Sequence, residues 1–300
     1  MIGKASYSAE IMAAHRATEM LLPEKERVCQ DQLAIRFLSP EWVAILKDRE
    51  KLIALATETE QKLPGIHGAV VARVRFIDEI VIRAVEEGLA QIVILGAGYD
   101  TRAYRIEKIK ANVHVFEVDH PFTQQIKVQK IVDIFGEKPG NVTFVPMDFT
   151  KDDLKGCLLE NGYDHARQTL FIMEGLTFYL PAETFHSILA FIAKNTGPLS
   201  GIVFDYLPPS VINGTSDRPE GKNSWLEVKR HGEPFRFGLE NNKVADFLLE
   251  RGFYLKNNVN AADCKELYFR GQSQQRQVTP IFWFAYAIVK PSANLVNRDA

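Results

Sequence analysis

The stretch QIVILGAGYDTR, residues 91–102, decides how the rest of the chain is read. Four consecutive apolar residues, 92–95, run straight into Gly96-Ala97-Gly98, the pattern of a buried parallel strand that ends in a tight turn. A helix is expected next. Glycines at 96 and 98, with only a methyl group at Ala97, leave no side chain to hold a ligand off the backbone. The helix N-terminus beyond them offers free N–H groups and positive dipole potential. Such a turn suits a nucleotide or a carboxylate, although any strand-to-helix turn of an α/β protein favours glycine.

A second apolar strand is predicted over 113–118, ending in Glu117-Val118-Asp119. An acid at the tip of the second strand of such a unit is placed to accept hydrogen bonds from both ribose hydroxyls. The glycine that a dinucleotide fingerprint needs at position 101 is replaced by Thr101. That glycine permits close helix packing under a pyrophosphate, so its absence favours a nucleoside ligand without phosphates, S-adenosyl-L-methionine, over NAD.

The 300 residues, 46% hydrophobic, suffice for one large α/β domain with embellishments or two small ones. A formal charge of −2 and no basic cluster mixed with aromatics argue against nucleic acid as partner. Cys29, Cys157 and Cys264 are odd in number and widely spaced, against a disulfide framework and against a zinc site. No metal is expected. The N-terminal MIGKASYSAEIM lacks an apolar core, and no run approaches the ~20 residues of a membrane span. The expectation is a cytoplasmic chain with no membrane partner; its oligomeric state is not legible.

Residues 6–60 predict two or three helices, punctuated by Pro23 and Ser39-Pro40, that precede the nucleotide unit and pack over its binding face. Leu63-Pro64-Gly65 marks a boundary between this cover, 1–64, and a domain over 65–300 that opens with a helix at 69–87. Further strands are predicted at 142–145, 170–173, 202–206, 252–255 and 281–289, the last two as an antiparallel edge separated by a polar loop. The clearest helix, 181–194, has proline near its start and apolar residues at helical spacing. The fold class is α/β: a doubly wound, Rossmann-like, seven-stranded sheet. Residues 208–238, rich in Pro, Gly, Asn and charge, read as a lid or an inserted substrate-binding segment.

Glu174 ends the fourth strand among apolar neighbours, where an unpaired carboxylate would cost several kcal/mol, so it needs a cation or donors. Either the α-ammonium of a methionine moiety or an internal salt bridge to an arginine such as Arg73 satisfies it. Its place at the carboxyl end of a strand, with Gly96 and Asp119, favours the ligand. Asp148, followed by Phe149, ends the third strand, positioned either to take the exocyclic amine of adenine or to cap the helix that begins near Lys151. Arg73 carries a guanidinium fork suited to a ligand carboxylate.

The motifs ARVRFIDE at 72–79, LGAGYDTR at 95–102, FEVDHP at 116–121, MDF at 147–149 and MEGLTFYLP at 173–181 resemble the leucine carboxyl methyltransferase family of S-adenosyl-L-methionine-dependent O-methyltransferases, over most of the chain. HGEPFRFGL at 231–239 is similar to the bacterial branch, which includes enzymes akin to polyketide carboxyl O-methyltransferases. The resemblance implies a class I methyltransferase fold in which Arg73 binds the methionine carboxylate, Gly96 lines the same end, and Glu174 holds the amino group. It further implies Asp119 at the ribose, Asp148 and Phe149 at the adenine, and Tyr179 near the methyl donor.

The sulfonium already makes the methyl group electrophilic, so alignment of the acceptor oxygen and exclusion of water are the main tasks. A carboxylate acceptor needs no base; a hydroxyl does, and His231 is the candidate. Tyr206, Trp225, Phe235 and Phe237 are candidate walls of an acceptor pocket. The expected activity is methyl transfer to a carboxylate or hydroxyl oxygen of a small organic molecule. An NAD(P)-dependent oxidoreductase and a non-catalytic S-adenosyl-L-methionine-binding regulator are the competing readings.

Overall fold

A computed structural model describes residues 7–291; the first six residues, and the part of the expected 65–300 domain beyond 291, lie outside the described residues. One sheet organises them. Its strands are β1 (Gln91–Leu95), β2 (His114–Asp119), β3 (Val142–Pro146), β4 (Thr169–Met173), β5 (Gly201–Tyr206), β6 (Phe253–Asn260) and β7 (Trp283–Val289), in the order β3-β2-β1-β4-β5-β7-β6. β1 to β5 pair in parallel, and β7 runs antiparallel to both β5 and β6. The chain builds outward from β1 through β2 to β3, then returns to lay β4 on the other flank. The β1/β4 seam is therefore the point where strand order reverses, the place at which open α/β sheets bind ligands.

All residues of β1, β4 and β5 are buried, as expected of strands covered on both faces. Alternation divides them between two cores. Ile92, Ile94, Leu170, Ile172 and Val203 face a core shared with α1 (Tyr7–Glu19) and α4 (Ile66–Glu86). Val93, Leu95, Phe171, Met173, Ile202 and Phe204 face the helix Ala182–Lys194 through its Phe185, Ile188, Leu189 and Ile192. Two further helices, α2 (Pro40–Lys47) and α3 (Arg49–Lys62), complete the N-terminal run. Gly65, at the expected boundary, has φ +73° and sits so close to the chain at Thr279 that a Cβ would lie 2.4 Å from its nitrogen.

Two segments carry more structure than their composition suggested. The connector between β6 and β7 holds a helix, Ala261–Tyr268, started by a reciprocal capping box in which Asn260 accepts from the Asp263 N–H and Asp263 accepts from the Asn260 N–H. Within 208–238, a helix over Pro219–Arg230 begins at a proline that fits the first helical position. Residues 231–239 follow as a strap without regular secondary structure. No helix among the described residues is long and apolar enough to cross a membrane.

Candidate active site

The carboxyl ends of β2, β1 and β4 open into a cavity of about 320 Å³. Its floor is the turn Gly96 to Asp100. Its walls come from Asp119, from Glu174 to Leu176 with Tyr179, from Arg73 on α4, from Ser8, Ala9, Met12 and Arg16 on α1, and from Gly232, Glu233, Pro234 and Arg236 on the strap. Gly96 (φ +68°) and Gly98 (φ +40°) hold left-handed conformations; a Cβ on Gly96 would come within 3.0 Å of Leu176. The turn is consequently both bent and open in a way that only glycine permits.

Asp119 completes this turn. Its Oδ2 accepts from the Gly98 N–H at 2.5 Å and its Oδ1 from the His120 N–H at 2.6 Å. Burial raises its pKa, and the two N–H groups only partly offset that. A carboxylate has about four lone-pair directions, so one on each oxygen stays free for a diol. The residues present therefore fit a ribose.

Behind the cavity runs a buried chain of alternating charge. Asp31 accepts from Arg16 Nε at 2.8 Å and lies 3.9 Å from Arg105, and Arg105 pairs with Asp78 at 2.8 Å. Asp78 also pairs with Arg102 at 2.8 Å, and Arg102 with Glu174 at 2.7 Å and with Asp100. Glu174 then meets Arg73 Nε at 3.0 Å, and Arg73 meets Asp205 at 2.5 Å. Asp205, fully buried at the end of β5, also accepts from the Gly175 N–H at 2.7 Å and so fixes the loop that carries Glu174. Burial alone would raise the Glu174 carboxyl, but the Arg102 and Arg73 guanidiniums outweigh it and hold it at about 2. Glu174 is therefore ionised throughout the neutral range, an anion on the cavity wall.

Seven of the residues singled out in the sequence, Arg73, Gly96, Ala97, Gly98, Asp119, Glu174 and Tyr179, line this one cavity. The salt bridge between Arg73 and Glu174, weighed above as an alternative to ligand binding, is present while both groups still line the wall. Asp148 and Phe149 are not among the residues that line the cavity. The Asp148 carboxylate accepts from the Thr150 N–H and hydroxyl and from Lys151 Nζ at 2.6 Å, and these contacts, Lys151 foremost, hold its pKa well below the usual range. His231 ends the helix Pro219–Arg230, outside the cavity lining, with Nε2 3.1 Å from Glu227. The aromatics expected to wall an acceptor pocket pack elsewhere: Tyr206 bonds Asn258, Trp225 lies under Lys229, Phe235 contacts Phe178 and Tyr179, and Phe237 contacts Phe185. Arg102, Asp78, Arg105 and Asp205 join the site without being singled out by the sequence reading. Asp205 ends GIVFDY as Glu174 ends LFIMEG, so the same argument from an acid at a strand tip applies to it. No cluster of His, Cys, Asp and Glu suited to a metal occurs among the described residues.

Comparison with known proteins gives this geometry its setting. A "Putative S-adenosyl-L-methionine-dependent methyltransferase YktD" of Bacillus subtilis (strain 168) is 30% identical over 221 residues, spanning 73% of this chain and 72% of its own. A "Putative S-adenosyl-L-methionine-dependent methyltransferase" of Mycobacterium sp. (strain JLS) is 29% identical over 254 residues, 82% of each chain. In fold, the chain is similar to the crystal structure of a DUF574 family protein from Streptomyces avermitilis MA-4680, at TM-score 0.60 and 12% identity over 96% of this chain and 98% of that one. It is also similar to that of a "putative methyltransferase" from Thermobifida fusca YX, at TM-score 0.56 and 15% identity over 81% and 89%. The model of one family, described as Leucine carboxyl methyltransferase, matches residues 9–193, which contain the glycine turn, Asp119 and the Arg73–Glu174 pair. With that span in hand the NAD(P) reading is set aside: the chain belongs to the leucine carboxyl methyltransferase family and is an S-adenosyl-L-methionine-dependent methyltransferase.

Proposed function

We propose that the protein transfers the methyl group to an oxygen of a small organic acid, as a carboxyl O-methyltransferase. The observation that carries this reading is the chemistry of the wall. No histidine, lysine or cysteine lines the cavity among the described residues, and the Tyr179 phenol, pushed up by burial and by Glu233, keeps its proton at neutral pH. A hydroxyl acceptor requires a base with a pKa near the working pH; a carboxylate arrives already ionised. The bound cofactor supplies an electrophilic methyl on a sulfonium. Asp119 holds the ribose, Glu174 and Arg73 the amino and carboxylate groups of the methionine end, and the turn at Gly96 to Gly98 lets the nucleoside lie against the backbone. The base continues past Asp119 towards Asp148 and Phe149. Tyr179 stands at the acceptor end, and residues 1–64 act as a cover over the domain that begins at 65.

Asp119→Ala is expected to weaken cofactor binding by about 1–3 kcal/mol through lost charge-assisted hydrogen bonds. Calorimetric titration with S-adenosylhomocysteine measures it, and an unchanged affinity removes Asp119 from the site. The reaction itself is tested by offering radiolabelled S-adenosyl-L-methionine with panels of carboxylic acids and phenols. Carboxyl transfer predicts base-labile methyl esters and a kcat flat from about pH 6 to 9, because the acceptor carboxylate stays ionised there. A base-stable ether, or a rate that climbs tenfold per pH unit, refutes the carboxyl reading.

A further inference from the structure

Arginines line the cavity at five positions, and one differs from the rest. Arg16, Arg73, Arg102 and Arg105 are each bonded to at least one buried carboxylate, as described above. Arg236 has no side-chain hydrogen bond or ion pair among the described residues, and none joins it to Glu233 on the same strap. Its backbone, by contrast, is firmly mounted. The Arg236 N–H donates to the Phe178 carbonyl at 2.7 Å, and the Leu239 N–H donates to the Leu207 carbonyl at 3.0 Å. Phe235 packs edge-on against Phe178, ring centroids 5.4 Å apart, and lies 5.6 Å from Tyr179. Gly238 is seated so tightly that a Cβ would lie 2.6 Å from Ile212 and 2.8 Å from the Leu207 carbonyl. Strap, Tyr179 and the chain just past β5 are thus tied together, and on this wall the exposed Arg236 lines the cavity beside Glu233 with no side-chain hydrogen bond or ion pair to a carboxylate among the described residues.

The position of this wall says which ligand it meets. Asp119 closes β2, whereas Arg236 is tied to Phe178 in the loop after β4 and Leu239 to Leu207 just past β5, two and three strands away, about 10–14 Å at the usual inter-strand spacing. Glu174, after β4, lies between them. With the ribose at Asp119 and the methionine end at Glu174, the strap stands beyond the methionine end, where an acceptor must approach.

We propose that Arg236 is the anchor for the acceptor's carboxylate, and that the substrate class is organic acids bound through this guanidinium. The inference rests on the carboxyl-transfer reading above. One carboxylate oxygen is held by Arg236 while the other forms the new O–CH3 bond; the S–CH3 bond breaks, its electron pair stays on sulfur, and no proton moves. The ester formed is neutral, so the charge that held the substrate is lost and the product is released.

The test uses the full chain saturated with S-adenosylhomocysteine, titrated with a panel of C4–C10 aliphatic and aryl carboxylic acids and their primary amides, with ligand-observed NMR as readout. At least one acid is expected to bind about tenfold or more tightly than its amide. Arg236→Gln should abolish that preference, Arg236→Lys should restore part of it, and the S-adenosylhomocysteine affinity should be the same in all three proteins. The proposal is overturned if no acid binds, if acids and amides bind alike, or if Arg236→Gln keeps the preference. Methyl transfer separates it from the reading beneath it. An Arg236-dependent acid preference with a base-stable methyl product leaves the anchor standing and removes carboxyl transfer. Ester formation with unchanged KM in Arg236→Gln does the reverse.

Discussion

Replacing Arg102 with alanine is expected to lower the unfolding free energy by about 3–5 kcal/mol, the range found when one partner of a buried ion pair is removed. Arg102 is 3% exposed and bonds Asp78, Asp100 and Glu174 at once. Without it, Asp100 loses its guanidinium while Asp78 keeps only Arg105 and Glu174 only Arg73, so three carboxylates share a site nearly closed to water where their mutual repulsion is weakly screened and their desolvation is less compensated. Urea denaturation should show a lower midpoint at an unchanged slope, since the surface exposed on unfolding barely alters. Arg102→Lys should recover little, because an ammonium cannot reproduce the fork that spans three acceptors. A loss under about 1 kcal/mol would mean that water reaches these carboxylates and that the charges behind the cavity are not interdependent in the way their geometry implies.

Glu174→Gln is expected to weaken S-adenosyl-L-methionine binding by about 2–3 kcal/mol, or roughly 30- to 150-fold, the scale of a hydrogen-bonded charge pair in a partly closed site. The amide keeps the shape but not the charge. It also turns an N–H group towards one of two guanidiniums that have no use for a donor. Its cost to stability should be smaller than that of Arg102→Ala, because Arg73 keeps Asp205 and Arg102 keeps Asp78 and Asp100. A variant that melts earlier yet binds the cofactor as before would make Glu174 a brace for the arginines and nothing more. pH gives a second readout. The folded-state pKa of Glu174 is depressed to about 2 from an ordinary 4.5, so its share of stability is complete above about pH 4.5 and is lost as pH falls towards 2. The native protein should shed that increment on acidification, and Glu174→Gln should not.

Residue pattern alone carried the framework far. QIVILGAG reads as strand and turn because parallel strands buried on both faces are continuously apolar and because positive φ selects glycine. The acids at 119 and 174 were visible for a related reason: a carboxylate directly after an apolar strand has few bland explanations. Asp205 satisfies the same criterion but is followed by Tyr206-Leu207-Pro208 rather than a glycine turn, so nothing beside it in sequence marks it. Asp78 and Arg102 were harder to see. Each is one polar residue in a helical register, and whether such a side chain faces water or a buried partner depends on elements far away in sequence. Asp78 on α4 meets Arg102 beyond β1, and Arg102 meets Glu174 beyond β4. The helix at Ala261–Tyr268 falls where the sequence reads as a polar loop, because its composition resembles one and only Asn260 and Asp263 mark its start. Residues 208–238 read as a lid or an inserted substrate-binding segment, and no local signal announces that Phe178 and Leu207 fasten the strap.

The order of strands in the sheet has a consequence for how the protein is made. β7 is last in sequence yet lies between β5 and β6, so β6 has no place on the sheet until residues 283–289 have left the ribosome. The half that carries the glycine turn, Asp119 and Glu174 is synthesised more than a hundred residues earlier. At bacterial or eukaryotic elongation rates of about 5–20 residues per second, the nascent chain spends several seconds with the open edge of β5 unpaired. For that interval the cofactor half can assemble while its neighbour waits, and a ligand present during translation could hold the early half together before the fold is closed.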